Sequence, residues 1–159
     1  MSREHLITYL NDHLAGSVAA LELLDHLLGQ DIGAAEQTLT HVRNEVEQDQ
    51  KTLQQLMQSV GGKESRVRQA AAWLSEKLAR AKLRLDDPGG GELHLLEALE
   101  ALALGIQGKA ALWRALGAAA THRPELEQLD FNALEKRAVG QLERVDRLRL
   151  QAARSALSL

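Results

Sequence analysis

The amino-acid sequence predicts an all-α protein: an antiparallel four-helix bundle with an additional amphipathic crossover helix, in one domain spanning 1–159. Three observations carry this reading. Apolar residues recur at spacings of three and four through most of the chain, the signature of a helix with one face to bury. Leu and Ala dominate while runs of β-branched residues are missing. Aromatic residues make up only 3% and proline occurs twice, so strands and frequent breaks have little to build on. At 159 residues the chain is long enough for one continuous core without covalent staples.

The first helix is expected from about Arg3 to Leu28. Its seam is Leu10, Leu14, Ser17, Leu21, Leu24 and Leu28, widened by Leu6, His13, Ala20 and Leu27 and flanked by Ile7, Val18 and Asp25. Gly29 fits its end and Asp31 can cap the next helix, so the connection is short and the two helices form a hairpin. The second helix has the most regular seam, Ala35, Leu39, Val42, Val46, Asp49, Leu53, Leu56 and Val60, closing at Gly61 and Gly62. One member of that seam is a carboxylate. Residues 63–85 read as a shorter amphipathic helix with Val67, Leu74 and Leu78 on its apolar face. It is basic, with seven Lys or Arg against Glu64 and Glu76 between Lys63 and Arg84. Asp86–Gly91, DDPGGG, is the clear break.

A further helix is expected from about Glu92 to Leu116, on Leu95, Leu99, Ala103, Ile106, Ala110 and Trp113. Its Ala98, Ala101, Gly105 and Gly108 form a thin side suited to a close helix crossing. After a linker over 117–129, Asp130 can cap the last helix, with Phe131, Leu134, Ala138, Gln141, Val145, Leu148 and Ala152 as its seam. If helices alternate in direction, residues 63–85 return the chain so that the helix from Glu92 starts parallel to the second.

In these helix lengths, the two hairpins and the long middle connection, and in the phrasing HLAGSVAALELLDHL, the chain resembles small bacterial proteins of the ferritin-like superfamily. The superfamily's metal-binding members need a Glu from each of two helices and a Glu-x-x-His from each of the other two. This chain contains no Glu-x-x-His. Glu45 is followed by Gln48 and Glu143 by Asp146, and Glu22 lies at the rim of its seam, so a di-iron centre is not expected. His41 with Glu45 and His26 with Glu22 read as exposed pairs four residues apart. His5, His94 and His122 lack any partner pattern and read as solvent-facing or capping.

Five polar residues stand on or beside apolar seams: His13, Asp25, Asp49, Lys109 and Gln141. A charge in an apolar core must find a partner, so they are read as a buried network fixing helix register. Asp49 is expected to meet Lys109 or His13, with Gln141 as a neutral alternative. No metal site is expected; His13, Asp25 and Asp49 are the best ligand candidates should one exist.

Composition narrows the function classes. The net charge of −3 gives no general pull toward nucleic acid, and the absence of cysteine excludes disulfides and thiolate metal sites. No stretch reads as a signal peptide or membrane span, so the cytoplasm is the expected location. No nucleophile triad, phosphate loop or nucleotide fingerprint occurs, which reads against an enzyme and leaves no cofactor implied. The arginines at 137, 144, 147, 149 and 154, interleaved with acids, read as a solvated face rather than a nucleic-acid surface. Leu23, Leu104, Leu112 and Leu150 are left off their seams. The chain therefore reads as a non-catalytic bundle acting through self-association, a homodimer first, or through a protein partner. The alternative is a metal-binding ferritin-like protein for storage or redox work, using seam carboxylates and histidines.

Overall fold

The computed structural model describes residues 3–63, 72, 76 and 91–158, and all its regular structure is helical. The elements are α1 (Arg3–Leu28), α2 (Ala35–Ser59), α3 (Gly91–Ala120) and α4 (Phe131–Leu157), with a single 3-10 turn at Pro124–Leu126. The basic helix expected over 63–85 lies outside the described residues. Among the described residues, no helix is long and apolar enough to cross a membrane.

Each helix packs against two others: α1 and α4 each touch α2 and α3. Specific pairs give the directions. Arg3 reaches the carbonyl of Val60, Gln50 reaches Ser17 and Arg43 reaches Asp25, so α1 and α2 run oppositely. Arg114 with Glu135 and Arg149 with Glu100 give the same relation for α3 and α4. The end of α2 thus lies beside the start of α1, while His26 near the end of α1 meets His94 near the start of α3.

The α2 seam is buried along its whole length, Ala35 through Val60, with Asp49 included. On α1 the buried arc is wider than a single seam. Leu23 and Leu27 are buried whereas Ser17, Leu21 and Leu28 are only half-buried. A helix facing two neighbours must present an arc to each, which also accounts for buried Leu112 on α3. Leu23 and Leu112 are therefore core residues, not spare apolar surface. Trp113, fully buried, lies against Phe131 with ring centroids 6.3 Å apart and joins the start of α4 to α3.

Helix ends follow local chemistry. At the end of α2, Gly62 N–H donates to Met57 O and Gly61 N–H to Gln58 O, the paired bonds of a Schellman turn, with Gly61 at φ +76° as that turn requires. Asp130 caps α4 by accepting from Ala133 N–H at 3.0 Å. Asp31 does not cap α2: the helix is entered from Ala34, in helical conformation, and bonds from Ala35 and Glu36 to Ile32 and Gly33 begin the turn instead. Nor does α3 stop at Leu116. Ala118–Ala120 are strong helix formers and carry it through Gly117 to Ala120. The close crossing expected at Gly105 and Gly108 is absent among the described residues, since nothing lies within 4 Å of where a Cβ would stand on either.

Candidate functional site

The polar residues of the helical seams converge on Asp49. Its position between Val46 and Leu53 on the buried face of α2 leaves it 1% exposed. A carboxylate there needs donors from the facing helices. Lys109 of α3 supplies one, its Nζ donating to Oδ2 at 2.7 Å and also to Gln141 Oε1. From α4, Gln141 Nε2 donates to Oδ2 at 3.2 Å and Arg137 Nη2 to Oδ1. Arg137 also reaches Gln48 Oε1 at 3.3 Å, and one turn along, Arg144 pairs with Glu45. Three helices are thereby tied through one side chain.

Arg137 was not among the seam residues that the periodicity singles out. The signal available for it is a second spacing: Arg137, Gln141 and Arg144 share one face of α4 and look toward Glu45, Gln48 and Asp49 on α2. Together with Arg149, which pairs with Asp146 and Glu100, these arginines are engaged by carboxylates of the chain itself rather than forming an open basic strip.

The other two predicted residues lie apart. Asp25 is not part of a buried network. Its side chain is 56% exposed and accepts from Arg43 Nε at 2.8 Å across the outside of the α1–α2 pair. It flanks the α1 seam, and that flank faces solvent. His13 makes no hydrogen bond to Asp49 but lines a pocket with it, its ring standing edge-on to Tyr9 at 4.8 Å between centroids. The pocket, about 80 Å³, opens between α1, α2 and α3 and is lined by His13, Ser17, Asp49, Gln50 and Lys109 together with Leu53, Ile106 and Leu112.

Burial governs the two bases here. It lowers the Lys109 pKa below its usual 10.5, against the opposing pull of Asp49. It also lowers the His13 pKa below 6.5, against the pull of Asp12. Divalent cations meet poor terms at Asp49, since Lys109 and Arg137 already occupy both its oxygens. No group of three His, Asp or Glu side chains among the described residues is placed to hold a metal.

One contact has no counterpart in the helical spacing. His94 is buried rather than solvent-facing, and its Nε2 lies 3.2 Å from His26 Nε2, with Gln30 Nε2 3.3 Å from the same His26 atom. His26 thus bridges to another helix instead of serving only as a surface partner for Glu22. His41 is exposed, and Glu45 pairs with Arg144 rather than with it.

Two outcomes follow. Asp49→Ala leaves Lys109 and Arg137 without their buried counter-charge and is expected to destabilise the protein by about 3–5 kcal/mol, whereas Asp25→Ala, removing an exposed pair, should cost below about 1 kcal/mol. Denaturant unfolding of both variants compares these values. For His13, the folded pKa is lowered, so the unfolded chain binds more protons and acid favours unfolding. The loss of stability sets in as pH falls below about 6.5 and is complete below the folded value. His13→Gln should flatten the decline in melting temperature between neutral and mildly acidic pH; an unchanged slope would contradict this.

Against known proteins, this chain matches no family model, no curated protein and no solved structure.

Proposed function

We propose that the chain is a non-catalytic helical bundle of ferritin-like arrangement that works by self-association, with a homodimer as its basic unit. The observation carrying this is the outer face of α3 and α4. Leu104 is 69% exposed, and Val139, Leu150 and Leu157 along α4 are exposed with it. Leu104 and Leu142 line an open groove of about 600 Å³ together with Glu100, Glu143, Asp146 and Arg149. Exposed apolar side chains interspersed with charges of both signs suit a two-fold interface, where each residue of one protomer can meet a complementary residue of the other.

The same reading takes the segment between α2 and α3 as a crossover. The start of α3 lies near the end of α1 and the end of α2 near its start, so about 39 Å of helix separates the two ends to be joined. That separation supports the ferritin-like connectivity, with the metal chemistry of the superfamily replaced here by an ion-paired core. The closed pairing around Asp49 supports a non-catalytic role, since those charges are committed to one another. The metal-binding alternative draws no support from the seam, where cations stand around Asp49. In this reading the protein works in the cytoplasm, which a chain without cysteine suits.

Light scattering coupled to size exclusion tests the proposal. The expected mass is that of a dimer, and Leu104→Glu with Leu150→Glu should yield a monomer of unchanged helicity and melting temperature. A wild-type monomer at all concentrations, or a dimer indifferent to both substitutions, would overturn it.

A further inference from the structure

Two imidazoles from different helices meet head to head at one end of the bundle. His26, in the last turn of α1, and His94, in the first turn of α3, bring their Nε2 atoms to 3.2 Å. The ring centroids are 5.4 Å apart with planes 73° from parallel, so the rings point at one another through Nε2 rather than stacking. Just past the end of α1, the side-chain amide of Gln30 stands 3.3 Å from the same His26 nitrogen.

Only one proton can lie between two facing ring nitrogens. In a neutral pair one Nε2 donates and the other offers its lone pair. His94 Nδ1 is buried with no hydrogen-bond partner among the described residues, so no bond at that nitrogen keeps the ring's proton on Nε2. With the proton on Nδ1, both Nε2 lone pairs are directed into the same gap. A tetrahedral zinc ion bonded at about 2.0–2.1 Å sets two imidazole nitrogens about 3.3–3.4 Å apart. The observed 3.2 Å lies within about 0.2 Å of that edge, so the pair needs little rearrangement to act as two ligands.

The surroundings select the sign of the charge. Gln30 borders an open groove whose described lining includes Asp31 and Glu92 and neither lysine nor arginine. The end of α1 presents the negative pole of its helix dipole and the start of α3 the positive pole of its own, so these two contributions oppose one another and the carboxylates favour a cation. Imidazole ligands favour a borderline ion of the zinc type over magnesium or calcium, which take oxygen ligands. Gln30 is exposed, which leaves the pair approachable from solvent.

We propose that His26 and His94 bind one zinc-type divalent cation through their Nε2 atoms, with water and the Gln30 amide oxygen, after a half-turn of that amide, completing a four-coordinate shell. Among the described residues no third His, Asp or Glu joins them, which leaves the remaining positions to neutral oxygen ligands and makes the site reversible. The ion sits between α1 and α3 at the end of the bundle, apart from the Asp49 network and from the outer face of α3 and α4, so the site stands whether or not the chain self-associates. Its effect is to make the tie between the end of α1 and the start of α3 dependent on the metal.

Titration calorimetry of the chelator-treated full chain with zinc chloride tests this, with magnesium chloride as the hard-cation match. One zinc should bind per chain, and magnesium at the same concentrations should not. His94→Ala and His26→Gln should each weaken zinc binding at least about a hundredfold, since each removes one of two imidazole ligands. His26→Gln, at a half-buried position, decides the matter if His94→Ala fails to fold. His41→Ala combined with His122→Ala, which changes two exposed histidines elsewhere, should leave zinc binding unaltered. Zinc at about a hundred times its Kd should raise the melting temperature of the wild-type chain by about 5–10 °C and that of His26→Gln by far less. Absence of saturable zinc binding, magnesium binding as tightly as zinc, zinc binding that survives His26→Gln, or zinc binding lost with His41 and His122 would each overturn the proposal.

Discussion

A carboxylate in the middle of an apolar helix seam constrains every element around it. Removing Asp49 from water costs several kcal/mol, recovered only if donors reach both of its oxygens. On α2 that condition places Lys109 of α3 on one oxygen and Arg137 of α4 on the other, with Gln141 bridging the lysine and the carboxylate. Seams of Leu, Ala and Val tolerate sliding by a turn, since one apolar contact replaces another at small cost. An ion pair does not, because a shift by one turn would separate buried charges. The network therefore sets the axial register of α2, α3 and α4, while the surrounding leucines supply the bulk of the burial.

Helix α1 is held differently, and the pocket is the consequence. Its ties to α2 are apolar contacts with peripheral polar ones, Ser17 to Gln50 and Asp25 to Arg43, and its tie to α3 at the end of the array is the His26–His94 contact. Toward the middle, Gly16 and Ala20 of α1 and Gly105 of α3 border the space next to Lys109. Small residues there leave a pocket rather than draw the helices into contact. The chain thus keeps its strongest charges in the interior committed to one another and leaves apolar side chains exposed on the outer face of α3 and α4.

Helix positions were legible because periodicity reports directly which side of a helix must leave water. For α2 the spacing of three and four carries the inward direction of every seam residue, Asp49 among them, and Lys109 and Gln141 stand at comparable positions on α3 and α4. What the spacing does not contain is the width of each buried arc, which depends on how many neighbours a helix has. For that reason spacing leaves Leu23 and Leu112 as spare surface and turns Asp25 inward, whereas the first two are buried and Asp25 faces solvent. Spacing likewise places Arg137 in solvent, yet its long side chain reaches the buried carboxylate from the margin of the seam. The His26–His94 contact joins residues 68 apart in sequence on different helices, and no pattern within either helix announces it. Asp31 failed as a cap because capping depends on backbone geometry over 32–36 that side-chain type alone does not determine.

The most direct test of the register claim is a double-mutant cycle between Asp49 and Lys109, using Asp49→Leu, Lys109→Met and the two together, read by denaturant unfolding. If the buried pair locks α2 to α3, the double variant is more stable than the sum of the single losses predicts, with a coupling of about 2 kcal/mol or more between groups in direct contact. Additive losses, with coupling near zero, would show that the helices take their register from the apolar seams alone.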